Sequence, residues 1–204
     1  MIKETLVEEI KNCEKLLIGI GEEWKSQEAE DIQVLYDKLL ELIQNKDYFI
    51  VTTVTDGEIR KSSLHQKRIV APCGNVTWRQ CSKSCTKDIW EQGEIPDDIC
   101  PHCGQPLTGN TIQAEDYIEE GYLPQWNAYT YWLSATLNKR VTILELGVGF
   151  QTPTVIRWPF EKTASINNKA HLYRIHGSFS QLSDTVKGKA ESISENSLEF
   201  LRNL

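Results

Sequence analysis

The sequence predicts an α/β fold, a doubly wound parallel sheet interrupted by a small metal-bound module, and three observations carry that prediction. Apolar, β-branched runs without alternation recur at residues 16–21, 48–54 and 141–149, the pattern of strands buried on both faces. Segments with apolar residues at helical spacing separate these runs, and strands alternating with helices imply parallel pairing. Between Val76 and Asn110 the rhythm fails, and four cysteines take over in the spacing C-x3-C…C-x2-C.

Ile2, Leu6 and Ile10 place one apolar face on a leading helix. LLIGIG, residues 16–21, reads as a buried strand closing in a tight turn. Residues 31–44 form the cleanest helix, with Ile32, Leu35, Tyr36, Leu39, Leu40 and Ile43 on one face. YFIVTTV, residues 48–54, is the next strand. A helix carrying Trp126, Tyr129, Trp132 and Leu133 precedes VTILELGVG, residues 141–149, and its aromatics read as core. A further helical segment leads to the strand HLYRI, residues 171–175. The expected organisation is one main domain, residues 1–75 and 111–204, with residues 76–110 as an insert.

Composition narrows the function. A chain of 204 residues is long enough for one sizeable core, and its 40% hydrophobic and 25% charged content is that of ordinary globular domains. A net charge of −7 argues against a nucleic-acid binder, which needs an excess of clustered Lys and Arg. The N-terminus MIKETLVEEIKNCEKLLIGIG is too interrupted by charge for a signal peptide, and no apolar run reaches membrane-spanning length. The expectation is a cytoplasmic protein, where cysteines are metal ligands, catalytic groups or buried fillers before they are disulfides.

Cys81, Cys85, Cys100 and Cys103 suit a tetrahedral Zn²⁺ site, with CPHCG supplying a tight turn that aims two thiolates at one point. Four sulfur ligands leave no open position, so the role is structural. Two disulfides or an iron–sulfur centre are the alternatives. His102 reads as a bystander.

Gly19 and Gly21 follow the first predicted strand, and Gly147, Val148 and Gly149 end a later one. Glycine lets backbone N–H groups approach a phosphate, and open α/β sheets bind ligands at the carboxyl ends of strands near a switch point. Two such turns beside one crevice favour a nucleotide, although each alone would pass as an ordinary strand-to-helix turn. Asp56, just beyond the second strand, projects into the same crevice or caps a turn.

Taken together, these residues resemble the sirtuins, NAD-dependent proteins with a Rossmann-like sheet and an inserted four-cysteine zinc ribbon. LLIGIGEEW corresponds to the family's first nucleotide loop, with Glu22 and Glu23 where small or hydroxyl residues are usual. TTVTDG corresponds to T-x-N-V-D, with Asp56 kept and Val54 at the asparagine position. Cys73-Gly74 stands for the family's His-Gly. LELGVGFQTP matches the later phosphate loop, and in HLYRIHGS His176 takes the place of an adenosine-side asparagine. YFIVTT, QC-x3-C and LELGVG-x-x-TP-x-x-I-x-x-PF resemble the macrodomain-linked class, whose members also lack the histidine and act as protein ADP-ribosyltransferases.

The resemblance implies NAD or ADP-ribose as ligand, with Gly19, Gly21, Asp56, Gly147, Val148, Gly149 and His176 lining its site and a protein as acceptor. It also implies that the interval between the first glycine turn and the second strand is shortened. Cys73 is a nucleophile or redox-sensitive thiol at that site, or a small buried hydrophobe. An NAD-dependent transferase or deacylase, a non-catalytic nucleotide-sensing or protein-interaction module, and a fold kept purely as a scaffold are the readings.

Overall fold

The computed structural model describes residues 2–25 and 29–204. Helix α1 (Ile2–Asn12) has an acidic first turn and a basic last turn, in accord with the helix dipole, and buries Leu6 and Ile10. It leads into β1 (Lys15–Ile20), a 3-10 turn (Glu22–Trp24) and α2 (Ala29–Ile43). Then come β2 (Tyr48–Thr52), α3 (Glu58–Lys61) and the short β3 (Ile69–Val70). The insert supplies β4 (Gly74–Cys81), β5 (Trp90–Glu91) and β6 (Leu107–Thr111). The chain returns through α4 (Leu123–Ser134), β7 (Val141–Leu146), α5 (Arg157–Ile166), β8 (Ala170–Ile175), β9 (Ala190–Ile193) and α6 (Ser197–Arg202).

The main sheet is wholly parallel, in the order β3-β2-β1-β7-β8-β9. Strand order therefore reverses at β1, whose neighbours are β2 and β7, so the switch-point crevice opens at the carboxyl ends of β1 and β7. Alternation along the strands sorts side chains to two faces. Leu16, Ile18, Ile20, Ile50, Leu144 and Leu146 pack with Leu6, Leu35, Tyr36, Leu39 and Phe200 of α1, α2 and α6. Leu17, Phe49, Val51, Ile143 and Leu172 pack with Tyr129, Trp132, Phe160 and Ala164 of α4 and α5. The second sheet is antiparallel, β5-β4-β6, over a small cluster of Cys81, Trp90, Cys100 and Leu107.

Two differences from the expected elements have local causes. The strand expected over residues 48–54 stops at Thr52, because its hydroxyl donates to Ile20 O (3.2 Å) and accepts from Val54 N–H (3.1 Å), drawing the chain out of the sheet. The run expected over residues 141–149 stops at Leu146, since Gly147 takes a left-handed φ of 64°. No helix of the described residues is long and apolar enough to cross a membrane.

Candidate functional site

The four cysteine sulfurs converge. All lie within 4.8 Å of one another, with Cys81 Sγ 3.5 Å from Cys103 and Cys85 Sγ 3.6 Å from Cys100. A tetrahedral ion with Zn–S bonds of ~2.3 Å sets its sulfurs roughly 3.8 Å apart, so the cluster fits one such ion. Burial alone would raise the Cys81 thiol, but the N–H groups of Cys85 and Lys83 and the neighbouring sulfurs draw it down to about 6. The sulfur of Cys103 and burial push the Cys85 thiol up. A central cation relieves that conflict by letting all four ionise. His102 hydrogen-bonds Asp88 (2.7 Å) and stands outside the cluster.

At the switch point the two glycine turns touch directly. Gly21 N–H donates to Leu146 O (2.9 Å), and a Cβ on Gly21 would stand 2.5 Å from both Gly147 O and Val148 Cα. A Cβ on Gly19 would meet Ile156 at 2.5 Å and Phe160 at 2.9 Å, so this glycine admits α5 against β1. The missing side chains at 19 and 21 are thus accounted for by chain-to-chain packing. Gly149 faces the crevice, its notional Cβ 3.2 Å from the Glu22 carboxylate. Val148 is buried in the α5 face of the core.

Backbone N–H groups line this crevice, and two carboxylates receive them. Glu22 accepts from Gly149 N–H (2.6 Å) and Gln151 N–H (3.1 Å). Glu23 accepts from Gly177 N–H (2.8 Å) beyond β8 and from Ser197 N–H (2.7 Å) at the start of α6. His176 Nδ1 lies 3.2 Å from Glu23 and within hydrogen-bond distance of the N–H groups of Ser178 (3.0 Å) and Phe179 (3.1 Å). Neighbouring Trp24 is buried and donates its indole N–H to Ser197 Oγ (3.2 Å). The 3-10 turn that carries Glu22 and Glu23 is thereby pinned.

Cys73 lies at the edge of the same crevice, buried, its sulfur 4.0 Å from Thr152 Oγ1. Burial raises its thiol, and the nearby Glu22 carboxylate pushes the same way. Together they outweigh the Thr152 hydrogen bond, which acts the other way. Asp56 accepts from Glu58 N–H (3.0 Å), and this bond shapes the turn into α3. Val54, at the position where the resemblance places an asparagine, packs into the core beneath α2.

A buried charged layer joins β7 and β8 next to these turns. Glu145 and Arg174 are register partners on β7 and β8, both fully buried, and make a two-point pair of 2.6 and 3.0 Å. Arg174 also reaches Glu161 (2.6 Å) and Gln181 O (2.7 Å). Arg157 donates to Val148 O (3.1 Å), Phe179 O (2.8 Å) and Gln181 O (2.7 Å), tying the turn after β7 to the loop after β8. The signal was present as single charges inside VTILEL and HLYRI, strands with no solvent-facing side.

No family model matches the chain. Among curated proteins, it is 25% identical over 153 residues to a protein ADP-ribosyltransferase of Staphylococcus aureus, covering 66% of this chain and 49% of that protein. It is 28% identical over 157 residues to a probable bifunctional ADP-ribose hydrolase/ADP-ribosyltransferase of Fusarium oxysporum, covering 62% of this chain and 25% of that protein. The chain thus spans about half the first relative and a quarter of the second. Solved structures share the fold. One from work on sirtuin substrate affinity covers 100% of this chain and 97% of its own with a TM-score of 0.67 at 11% identity. Another, Sir2Tm bound to a propionylated peptide, gives 0.69 at 10% identity over 100% of this chain and 97% of its own. The chain thus has the fold of these sirtuin structures, a four-cysteine cluster that could hold a zinc ion, and curated relatives named for ADP-ribosyl transfer.

Proposed function

We propose that the protein binds NAD or ADP-ribose at the switch-point crevice and acts in ADP-ribosyl transfer to a protein acceptor. The observation that carries this reading is the pair of backbone N–H groups, from Gly149 and Gln151, that meet one carboxylate in the turn after β7. Such donors recognise phosphate oxygens. Bound NAD would supply the glycosidic bond that breaks, with nicotinamide leaving and the ADP-ribosyl group passing to the acceptor's nucleophile. The chain's part is to hold the phosphates on backbone N–H groups and to brace that loop through Arg157. Transfer is favoured over deacylation because position 73 offers a buried thiol, whose burial disfavours ionisation, and no imidazole base.

The metal centre would hold Zn²⁺ through Cys81, Cys85, Cys100 and Cys103 and serve structure alone, since four thiolates leave no open position. Four unpaired thiols kept as ligands favour a reducing compartment, the cytosol. The test is calorimetric titration with ADP-ribose and NAD, followed by assay of nicotinamide release with candidate acceptor proteins. Saturable binding with acceptor-dependent release is expected, and failure of both ligands to bind sinks the proposal.

A second reading, a nucleotide-sensing module without turnover, is favoured by the burial of Val54 and Cys73 where the resemblance places polar catalytic groups. Binding without nicotinamide release under any acceptor would select it.

A further inference from the structure

The donors that make the crevice attractive to a phosphate already carry an anion of the chain's own. Glu22 places one carboxylate oxygen on Gly149 N–H at 2.6 Å and the other on Gln151 N–H at 3.1 Å. That two-point, charge-assisted arrangement is the one a phosphate would use on the same turn. Glu23 does the equivalent on Gly177 and Ser197. The two residues differ in how they are held. Glu23 is a fixed brace, for its stem fills the space a side chain on Gly147 would need, and its carboxylate ties the loop after β8 to α6. Among the described residues, the Glu22 carboxylate hydrogen-bonds only the two loop N–H groups, and rotation of that side chain frees them without moving the backbone anchored by Trp24.

We propose that Glu22 is a resident anion in the turn after β7, a built-in competitor that a phosphate-bearing ligand must displace. Two negative groups cannot share one pair of donors, so ligand binding requires the Glu22 carboxylate to leave and take its charge out of the crevice. A nucleotide therefore meets a protein whose competent form is a minority, and its apparent affinity falls by that fraction. Glu22 sets both the affinity of the crevice and its selectivity among anions. The ligand's identity as a nucleotide rests on the function proposed above, whereas the competition itself requires only that the ligand present a phosphate-like group.

The test uses the full zinc-loaded chain with Glu22→Ala and Glu22→Gln, leaving Glu23 intact, and two probes, inorganic sulfate and ADP-ribose. Sulfate should raise the melting temperature of Glu22→Ala more than that of wild type, whose rise is confined to the general salting-out response. For ADP-ribose the alanine variant should bind at least roughly tenfold tighter than wild type, a difference of ~1.4 kcal/mol. Glu22→Gln keeps the length and loses the charge, so it should fall between them; circular dichroism melts establish that each variant is folded. If sulfate stabilises Glu22→Ala more than wild type while ADP-ribose binds neither protein, the resident anion is upheld and the nucleotide reading fails. If ADP-ribose binds wild type and both variants equally, the nucleotide reading stands and Glu22 is no competitor. Equal responses of all three proteins to sulfate overturn the proposal as well.

Discussion

Glu145 and Arg174 face each other across β7 and β8 without solvent on either side, and their worth depends on staying paired. Arg174→Met would leave a carboxylate buried among apolar side chains and cost about 3–5 kcal/mol, whereas adding Glu145→Leu should recover most of that loss. Urea unfolding of the two single variants and the double variant measures it; a double variant as unstable as Arg174→Met would refute the pairing. Such a pair is half legible in sequence. A charge inside a run buried on both faces signals a partner, but the partner's identity depends on strand register. Glycines illustrate the opposite limit. Their clustering near strand ends was visible, yet only the fold shows that Gly19 makes room for Ile156 and Phe160, while Gly149 lies against a carboxylate. Glu22 and Glu23 stood out in sequence as departures from the family loop, but their bonding partners lie more than 120 residues away in the chain.

At the level of elements, Asp47 is a clamp at the amino-terminal end of β2. It accepts from the Trp132 indole on α4 (2.7 Å), pairs with Lys15 at the start of β1, and lies 3.3 Å from Arg68. Burial pushes its carboxyl up, but Lys15, Trp132 and Arg68 outweigh that and hold it below the usual carboxylate range. A carboxyl depressed in the folded state contributes stability that is fully present above its unfolded value of about 3.9 and is lost as pH falls through the folded value. Asp47→Asn should therefore lose less stability on acidification below about pH 4 than the wild type does. Chemical denaturation across that range checks it, and parallel pH curves would refute it. The long strands and helices were legible because both-face burial and helical spacing repeat often enough to be read. Strands β3 and β9 and helix α6 escaped because two, four and six residues carry too little periodicity.

On the scale of the whole molecule, two kinds of core coexist. The parallel sheet has apolar layers on both faces, whereas the insert gathers only Cys81, Trp90, Cys100 and Leu107, with Ile95 partly covering them. So small a cluster needs a further source of stability, which the zinc ion proposed for the four cysteines would supply, because ligand binding and folding are then one free energy. Chelation should abolish amide-exchange protection in β5 and in the distal part of β4 and β6, while β1, β7 and β8 keep theirs. Hydrogen exchange with mass spectrometry reads this directly, and simultaneous loss throughout would show that the two cores are coupled. The cysteine spacing made this module the most legible part of the chain, since ligand geometry is local.

The module's attachment has its own consequence. Strand β4 starts at Gly74 opposite Thr111, where β6 ends, and Ile112 N–H donates to Cys73 O at 3.0 Å. At that point a Cβ on Gly74 would stand 2.1 Å from Asn110 O, so outgoing and returning backbones press together. A detour that departs and arrives at one doorstep leaves the surrounding architecture indifferent to its length. The ribbon can grow, shrink or be exchanged at its far tip without any strand of the parallel sheet having to shift its neighbours.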